Sequence, residues 1–232
     1  MTGKKPHTFL KAISWLANTM TCKGFAGFLF IFLLPGTWAD VDESASAAAG
    51  SKLYPACTSC HGAKGQGNMG MAAPKLTGLQ GFYLLKQMQN FQSGARGKAA
   101  GDNKGRQMAA MSNSPRLTRN GALDDLVSYI QSLPDTPAAQ TVAGDVPRGK
   151  ILFNSCASCH GARGQGLEMM GAPRLAGQSD WYLLTQLQHF AQGRRGYDPA
   201  DQRGRQMQGA MTALQNIDDY RAVVAYINTL GS

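Results

Sequence analysis

Cysteine is scarce outside two short motifs: of five in 232 residues, four stand at Cys57, Cys60, Cys156 and Cys159, and the fifth is Cys22. With no further cysteine to pair with, the four do not make the regular ligand array of a zinc site. A structural-disulfide reading leaves unexplained why His61 follows one pair and His160 the other. Histidine itself is rare, with His7 and His189 completing a set of four. Charged residues amount to only 16%, and no basic stretch is interleaved with aromatics, which excludes the footprint of a nucleic-acid binder. Convincing apolar–polar alternation of the kind a strand needs is also missing, so the fold class read from the sequence is all-α.

What is present begins with a leader. Residues 1–39 contain Lys4, Lys5, Lys11 and Lys23 and no acid. An apolar run from Phe25 to Leu34 is followed by Pro35-Gly36-Thr37-Trp38-Ala39. That order is a secretory signal peptide, with cleavage expected after Ala39. The apolar run is shorter than the about twenty residues that span a bilayer. The stretch Phe9 to Leu34 would be long enough for an uncleaved anchor, but Lys11 and Lys23 interrupt it. Removing the leader discards Cys22 and leaves 19 basic against 14 acidic residues. That modest excess suits an acidic partner or an anionic membrane surface, and equally a plainly solvated one.

The rest of the chain is a duplication. Cys57-Thr-Ser-Cys60-His61-Gly-Ala-Lys-Gly-Gln-Gly67 matches Cys156-Ala-Ser-Cys159-His160-Gly-Ala-Arg-Gly-Gln-Gly166 at an offset of 99. The same offset aligns Ala73-Pro74-Lys75-Leu76 with Ala172-Pro173-Arg174-Leu175, and Gly105-Arg106-Gln107-Met108 with Gly204-Arg205-Gln206-Met207. A Pro- and Ala-rich stretch without apolar periodicity separates the copies. The expected organisation is a first domain at 40–133, a linker at 134–146 and a second domain at 147–232. Domains this small have little apolar core of their own, and a large flat cofactor would fill the interior. Each copy reads as three or four helices. Phe82, Leu84, Leu85, Met88 and Phe91 recur at helical spacing, as do Trp181, Leu183, Leu184, Leu187 and Phe190. Leu123, Leu126, Val127 and Ile130 form a further stripe, repeated within 217–230. A short helix is expected before each cysteine pair, and the Gly-rich stretches read as loops.

Cys-x-x-Cys-His, twice, points to two covalently attached haem c groups. Thiols one helical turn apart reach the two vinyl groups on one porphyrin edge, and the adjacent His lies under the iron. Cys57, Cys60 and His61 would hold one haem, and Cys156, Cys159 and His160 the other. The sixth iron ligand decides the chemistry. A duplicated second His is excluded by counting, because His189 has Asn90 as its counterpart; His189 reads instead as a surface or haem-edge residue. A duplicated Met leaves Met108 with Met207, or Met71 with Met170. The latter pair follows the haem His closely, toward the wrong face, so Met108 and Met207 are the expected iron ligands. Met111 and Met211 are their rivals. Iron closed between His and Met transfers electrons and hosts no reactant, which disfavours a dihaem peroxidase. Arg96, Arg106, Arg195 and Arg205 are candidates either for haem propionates or for solvated surface.

On these motifs, together with Tyr-Leu-Leu-x-Gln-Met/Leu-Gln-x-Phe and the closing Val-x-Tyr-Ile helix, the chain resembles the class I c-type cytochromes, and in its tandem arrangement the dihaem cytochrome c4 family. The resemblance covers nearly all of residues 45–230. It implies two class I domains, each wrapped around one haem, in the bacterial periplasm, in loose association with the membrane. It further implies an electron carrier, not an enzyme, passing electrons from a quinol-oxidising complex to a terminal oxidase. The alternative is a cytochrome subunit of an exported dehydrogenase or oxidase complex. The family pattern places the ligand Met seven residues before a Leu, as Met207 precedes Leu214, whereas Leu117 lies nine beyond Met108. It also implies that Pro74 and Pro173 offer their carbonyls to the haem histidines.

Overall fold

The computed structural model describes residues 38–231; the expected leader up to residue 37 lies outside them. The first lobe holds α1 (Trp38–Ser51), α2 (Pro55–His61), α3 (Gly81–Ser93), α4 (Asn103–Ser112) and α5 (Ala122–Ser132). The second holds α6 (Val146–His160), α7 (Asp180–Ala191), α8 (Gln202–Ala210) and α9 (Ile217–Leu230), with short 3₁₀ turns at Glu168–Met170 and Met211–Ala213. Among the described residues the only β-pairing is two isolated bridges. The all-α expectation holds.

One proline explains why the copies differ in helix number. Pro55 has no N–H to continue α1, so that helix ends at Ser51 and a new one starts at Pro55. The second copy has Asn154 in its place, and α6 runs through without a break. In each lobe the first helix crosses the last, α1 on α5 and α6 on α9. The crossing is close because a glycine faces a backbone carbonyl: Gly50 lies against Asp125, and Gly149 against Ala222. Beside each crossing an aromatic pair tilts together, Tyr54 on Tyr129 at 5.2 Å and Phe153 on Tyr226 at 5.4 Å between ring centroids. The apolar stripes expected from periodicity line the cores. Leu123, Leu126, Val127 and Ile130 are buried in the first lobe, and Leu183, Leu187 and Phe190 in the second.

Two findings depart from the sequence reading. The cysteine pairs lie within α2 and the last turns of α6 rather than after a helix. The stretches read as Gly-rich loops include α4 and α8, which carry Met108 and Met207. Both helices are started by an aspartate: Asp102 accepts from the Gly105 N–H at 2.8 Å, and Asp201 from the Gly204 N–H at 3.0 Å.

Residues 134–145 have no regular structure, yet they are strapped to the second lobe. Buried Asp180 accepts from Thr141 N–H at 2.5 Å, Thr141 O–H at 2.6 Å, Val142 N–H at 2.7 Å and Asn228 Nδ2 at 3.1 Å. Burial pushes its carboxyl up, but these hydrogen bonds outweigh burial and leave it below the ordinary carboxylate value. A depressed folded-state pKa stabilises the fold above the unfolded value of about 3.9, and that contribution is lost as pH falls through the lower folded value. Asp180→Asn should therefore lower the melting temperature at pH 7. It should also flatten the fall in melting temperature between pH 5 and pH 2, as calorimetry at stepped pH would measure. A wild-type-like pH profile in the variant would refute this role.

Candidate haem sites

Cys57 and Cys60 share one face of α2, and His61 closes that helix; Cys156, Cys159 and His160 repeat the arrangement at the end of α6. All four thiols are unpaired. Burial, with Cys60 as a secondary cause, pushes the Cys57 thiol up to about 11, and burial raises Cys156 as well. A dithiol reagent needs the opposite shift, a thiol pushed down toward thiolate. Cys57 and Cys156 are shifted the other way.

Both histidines are buried and tied in the same way. Nδ1 of His61 lies 2.8 Å from the carbonyl of Pro74, and Nδ1 of His160 lies 2.8 Å from that of Pro173. A carbonyl only accepts, so Nδ1 carries the proton and Nε2 keeps its lone pair. Burial lowers the pKa of each ring, with the proline carbonyl working against it. The result is a neutral imidazole with one fixed, free lone pair, which is the form a metal takes up. The chain positions each proline by folding straight back. Gly67 N–H donates to the His61 carbonyl at 2.9 Å and Gly166 N–H to that of His160 at 2.7 Å. The bridges Asn68–Ala73 and Leu167–Ala172 then close the loop just before the proline.

Met108 and Met207 occupy equivalent, half-buried positions on α4 and α8. Met207 packs against the core cluster of Phe190, Met211 and Leu214, to which Cys156 also contributes. The rivals are unlike each other: Met111 is 42% exposed and Met211 only 6%. Met71 and Met170 lie at the surface. His189 is half-buried rather than at the open surface. It points from α7 toward the first lobe, with Nδ1 3.9 Å from Asp102 Oδ1. Arg106 and Arg205 are solvated, whereas Arg96 and Arg195 are buried between the lobes.

The residues that make that interlobe contact are what the sequence reading missed. Lys75, 2% exposed, donates to the Gly177 carbonyl at 2.9 Å and pairs with Asp135 of the connecting segment at 2.6 Å. Gln80 bonds the Gln165 carbonyl and the Arg174 N–H, both at 2.8 Å. The available signal was repetition: Gln87 and Gln186 sit at the same offset of 99 as the haem motifs, on otherwise apolar stripes.

The donor set fits a haem c in each lobe, with two free thiols one turn apart and a neutral imidazole oriented by a second hydrogen bond. A Cytochrome c family profile matches residues 47–134 and again 146–231, so the chain is a c-type cytochrome with two haem domains in tandem. It is 33% identical over 192 residues to cytochrome c4 of Azotobacter vinelandii, which covers 79% of this chain and 89% of that protein. It is 32% identical over 209 residues to the thiosulfate dehydrogenase electron acceptor of Stutzerimonas stutzeri, at 81% and 88% coverage. The crystal structure of reduced recombinant cytochrome c4 from Pseudomonas stutzeri superposes with a TM-score of 0.61 at 29% identity, covering 78% of this chain and 96% of that one. The chain belongs to the dihaem cytochrome c4 family.

Proposed function

We propose that this dihaem electron-transfer protein works in the periplasm, carrying electrons from a quinol-oxidising complex to a terminal oxidase. In this reading His61 and Met108 hold one iron, and His160 and Met207 the other. The observation that carries it is the pair of buried histidines, each with Nδ1 committed to a proline carbonyl at 2.8 Å and Nε2 left free. Haem supplies a one-electron ferrous/ferric couple. The chain's part would be to fix the imidazoles of His61 and His160, offer the thioethers of Met108 and Met207 and shield the site from solvent. Thioether ligation favours the reduced state and raises the potential. The equivalent half-buried positions of Met108 and Met207 support that assignment over Met111 and Met211, which differ in burial. Export rests on the expected leader. Among the described residues no helix is long and apolar enough to cross a membrane.

A second reading takes an exported dehydrogenase as the donor, with this chain as its acceptor or subunit. It is favoured by the relative whose name is thiosulfate dehydrogenase electron acceptor. Purification from the native host separates the two: a free, monodisperse cytochrome supports the first, and a partner held at fixed stoichiometry the second. The core proposal is tested by optical redox titration of the holoprotein. Two high-potential one-electron steps are expected, with a weak sulfur-to-ferric band near the red end scaling to both haems. Rapid carbon monoxide binding by the native ferrous protein would overturn it.

A further inference from the structure

We infer that Asp135, on the segment between the lobes, is a positioning residue shared by the two haem sites, its one carboxylate holding both histidine-orienting loops and setting the charge beside them. This inference rests on the haem reading above. The carbonyl that Pro74 turns to His61 belongs to one planar peptide with the Lys75 N–H, and that of Pro173 to one with the Arg174 N–H. Whatever fixes Lys75 and Arg174 therefore fixes the angle at which each imidazole is held. Lys75, only 2% exposed, reaches one oxygen of the Asp135 carboxylate at 2.6 Å, and Arg174 reaches the other at 3.6 Å. The two cations are counterparts at the repeat offset of 99. Among the described residues Asp135 is the only acid in ion-pair range of either.

The surroundings are built for that acid. A Cβ at Gly78 would fall 2.5 Å from Asp135 Oδ2, so only glycine leaves room for the carboxylate, and at φ +76° only glycine takes the turn without strain. The counterpart of Gly78 is Gly177, whose carbonyl accepts from Lys75 Nζ at 2.9 Å and from the Ala138 N–H at 3.2 Å. The second of these bonds ties down the connecting segment just beyond Asp135. Further bonds cross from lobe to lobe beside both prolines. Gln178 donates to the Lys75 carbonyl at 2.9 Å, and the Arg174 N–H donates to Gln80 at 2.8 Å. The repeat supplies two cations by symmetry, whereas the connecting segment occurs once and supplies one acid. A lysine taken out of water needs a counter-charge. Asp135 supplies it, and halves the positive charge that the two loops would otherwise present.

Negative charge near an iron favours the ferric state, so losing this carboxylate should raise both midpoints. At an effective dielectric of about 20, one charge about 10–20 Å away is worth about four- to fifteenfold in an equilibrium constant. Asp135 is 33% exposed, and screening by water and salt puts the expected effect at the lower end, about fourfold. The test is redox titration of the full holoprotein. Covalent haem content and the sulfur-to-ferric band are measured first; a wild type lacking either sinks the haem reading and this inference with it, and is thereby told apart from failure of the inference alone. Asp135→Asn should raise both midpoints about fourfold in equilibrium constant, and Asp135→Glu, which keeps the charge, should leave them at wild-type values. Lys75→Gln leaves the carboxylate without its nearer cation and should lower both. Loosened packing would instead admit water and lower the midpoints of Asp135→Asn and Lys75→Gln alike. Should Asp135→Asn not fold, Asp135→Ser carries the same test of sign. Unmoved midpoints in a variant of lower melting temperature, a shift confined to one haem, or a fall in Asp135→Asn would overturn the inference.

Discussion

In a Met207→Ala variant, half of the haem should bind carbon monoxide rapidly in the ferrous state while the other half stays closed. Under the ligation proposed above the alanine would have no atom to offer the iron, and the sulfur-to-ferric band should fall to half its intensity. On that proposal the potential of that haem should drop by a sizeable part of the about 0.8 V range that axial ligation commands, because a thioether ligand would favour the ferrous form. Met108→Ala should do the same to the other haem. The comparison that makes this decisive is Met211→Ala. Met211 is 6% exposed in the cluster with Phe190 and Leu214, so its truncation should cost about 2–5 kcal/mol of stability and leave the spectrum intact. Met111, 42% exposed, should cost neither stability nor spectrum when truncated. Carbon monoxide binding in Met211→Ala but not in Met207→Ala would reverse the assignment.

The parts of the molecule that were legible in the sequence are those whose signal is local. Leu123, Leu126, Val127 and Ile130 announce α5 because one helix face buries them together. The haem motifs are legible because covalent attachment demands two thiols and an imidazole at fixed spacing. By contrast, α4 and α8 contain Gly105 and Gly204 and almost no apolar stripe. They form because Asp102 and Asp201 cap them and because they pack on α3 and α7. α1 is a run of acids, serines and alanines, and it is placed by its crossing with α5. The split between α1 and α2 was implicit in Pro55, but only contrast with Asn154 of the second copy gives it meaning.

The interlobe surface was illegible for a different reason. Gln87, Gln186, Tyr83 and Tyr182 look like ordinary polar interruptions of apolar stripes, and in sequence Arg96 and Arg195 suit solvent as well as a propionate. Their burial depends on how one lobe is set against its copy, which no single-copy periodicity records. Repetition at one offset is the trace this leaves. A near two-fold contact makes each residue meet the counterpart of its own partner, as Arg96 and Arg195 do through both glutamines. The same logic puts Lys75 and Arg174, each next to a histidine-orienting proline, on either side of Asp135 at 2.6 and 3.6 Å. The connecting segment thereby touches the loops that set both imidazoles.

Gly149→Ala should be among the most damaging single-methyl additions in the protein. In an open helix interior, Gly to Ala gains about 1 kcal/mol. At this site the new Cβ would fall inside the carbonyl of Ala222, and a backbone carbonyl in a packed helix cannot swing aside as a side chain can. Overpacking of this kind costs about 1–3 kcal/mol and sometimes more. The obstruction lies in the pairing of α6, which ends in Cys156, Cys159 and His160, with α9. A net loss of about 3 kcal/mol corresponds to a fall in melting temperature on the order of 6–12 °C for a chain of this size. Gly50→Ala should act alike in the first lobe, where the obstacle is the carbonyl of Asp125. Gly209→Ala on α8 is the control, since a Cβ there meets nothing within 4 Å, and that variant should be at least as stable as the wild type. Thermal unfolding of the three variants, loaded with equal haem, tests the crossing directly. Gly149→Ala melting with Gly209→Ala would mean that the two helices do not approach as closely as this fold requires.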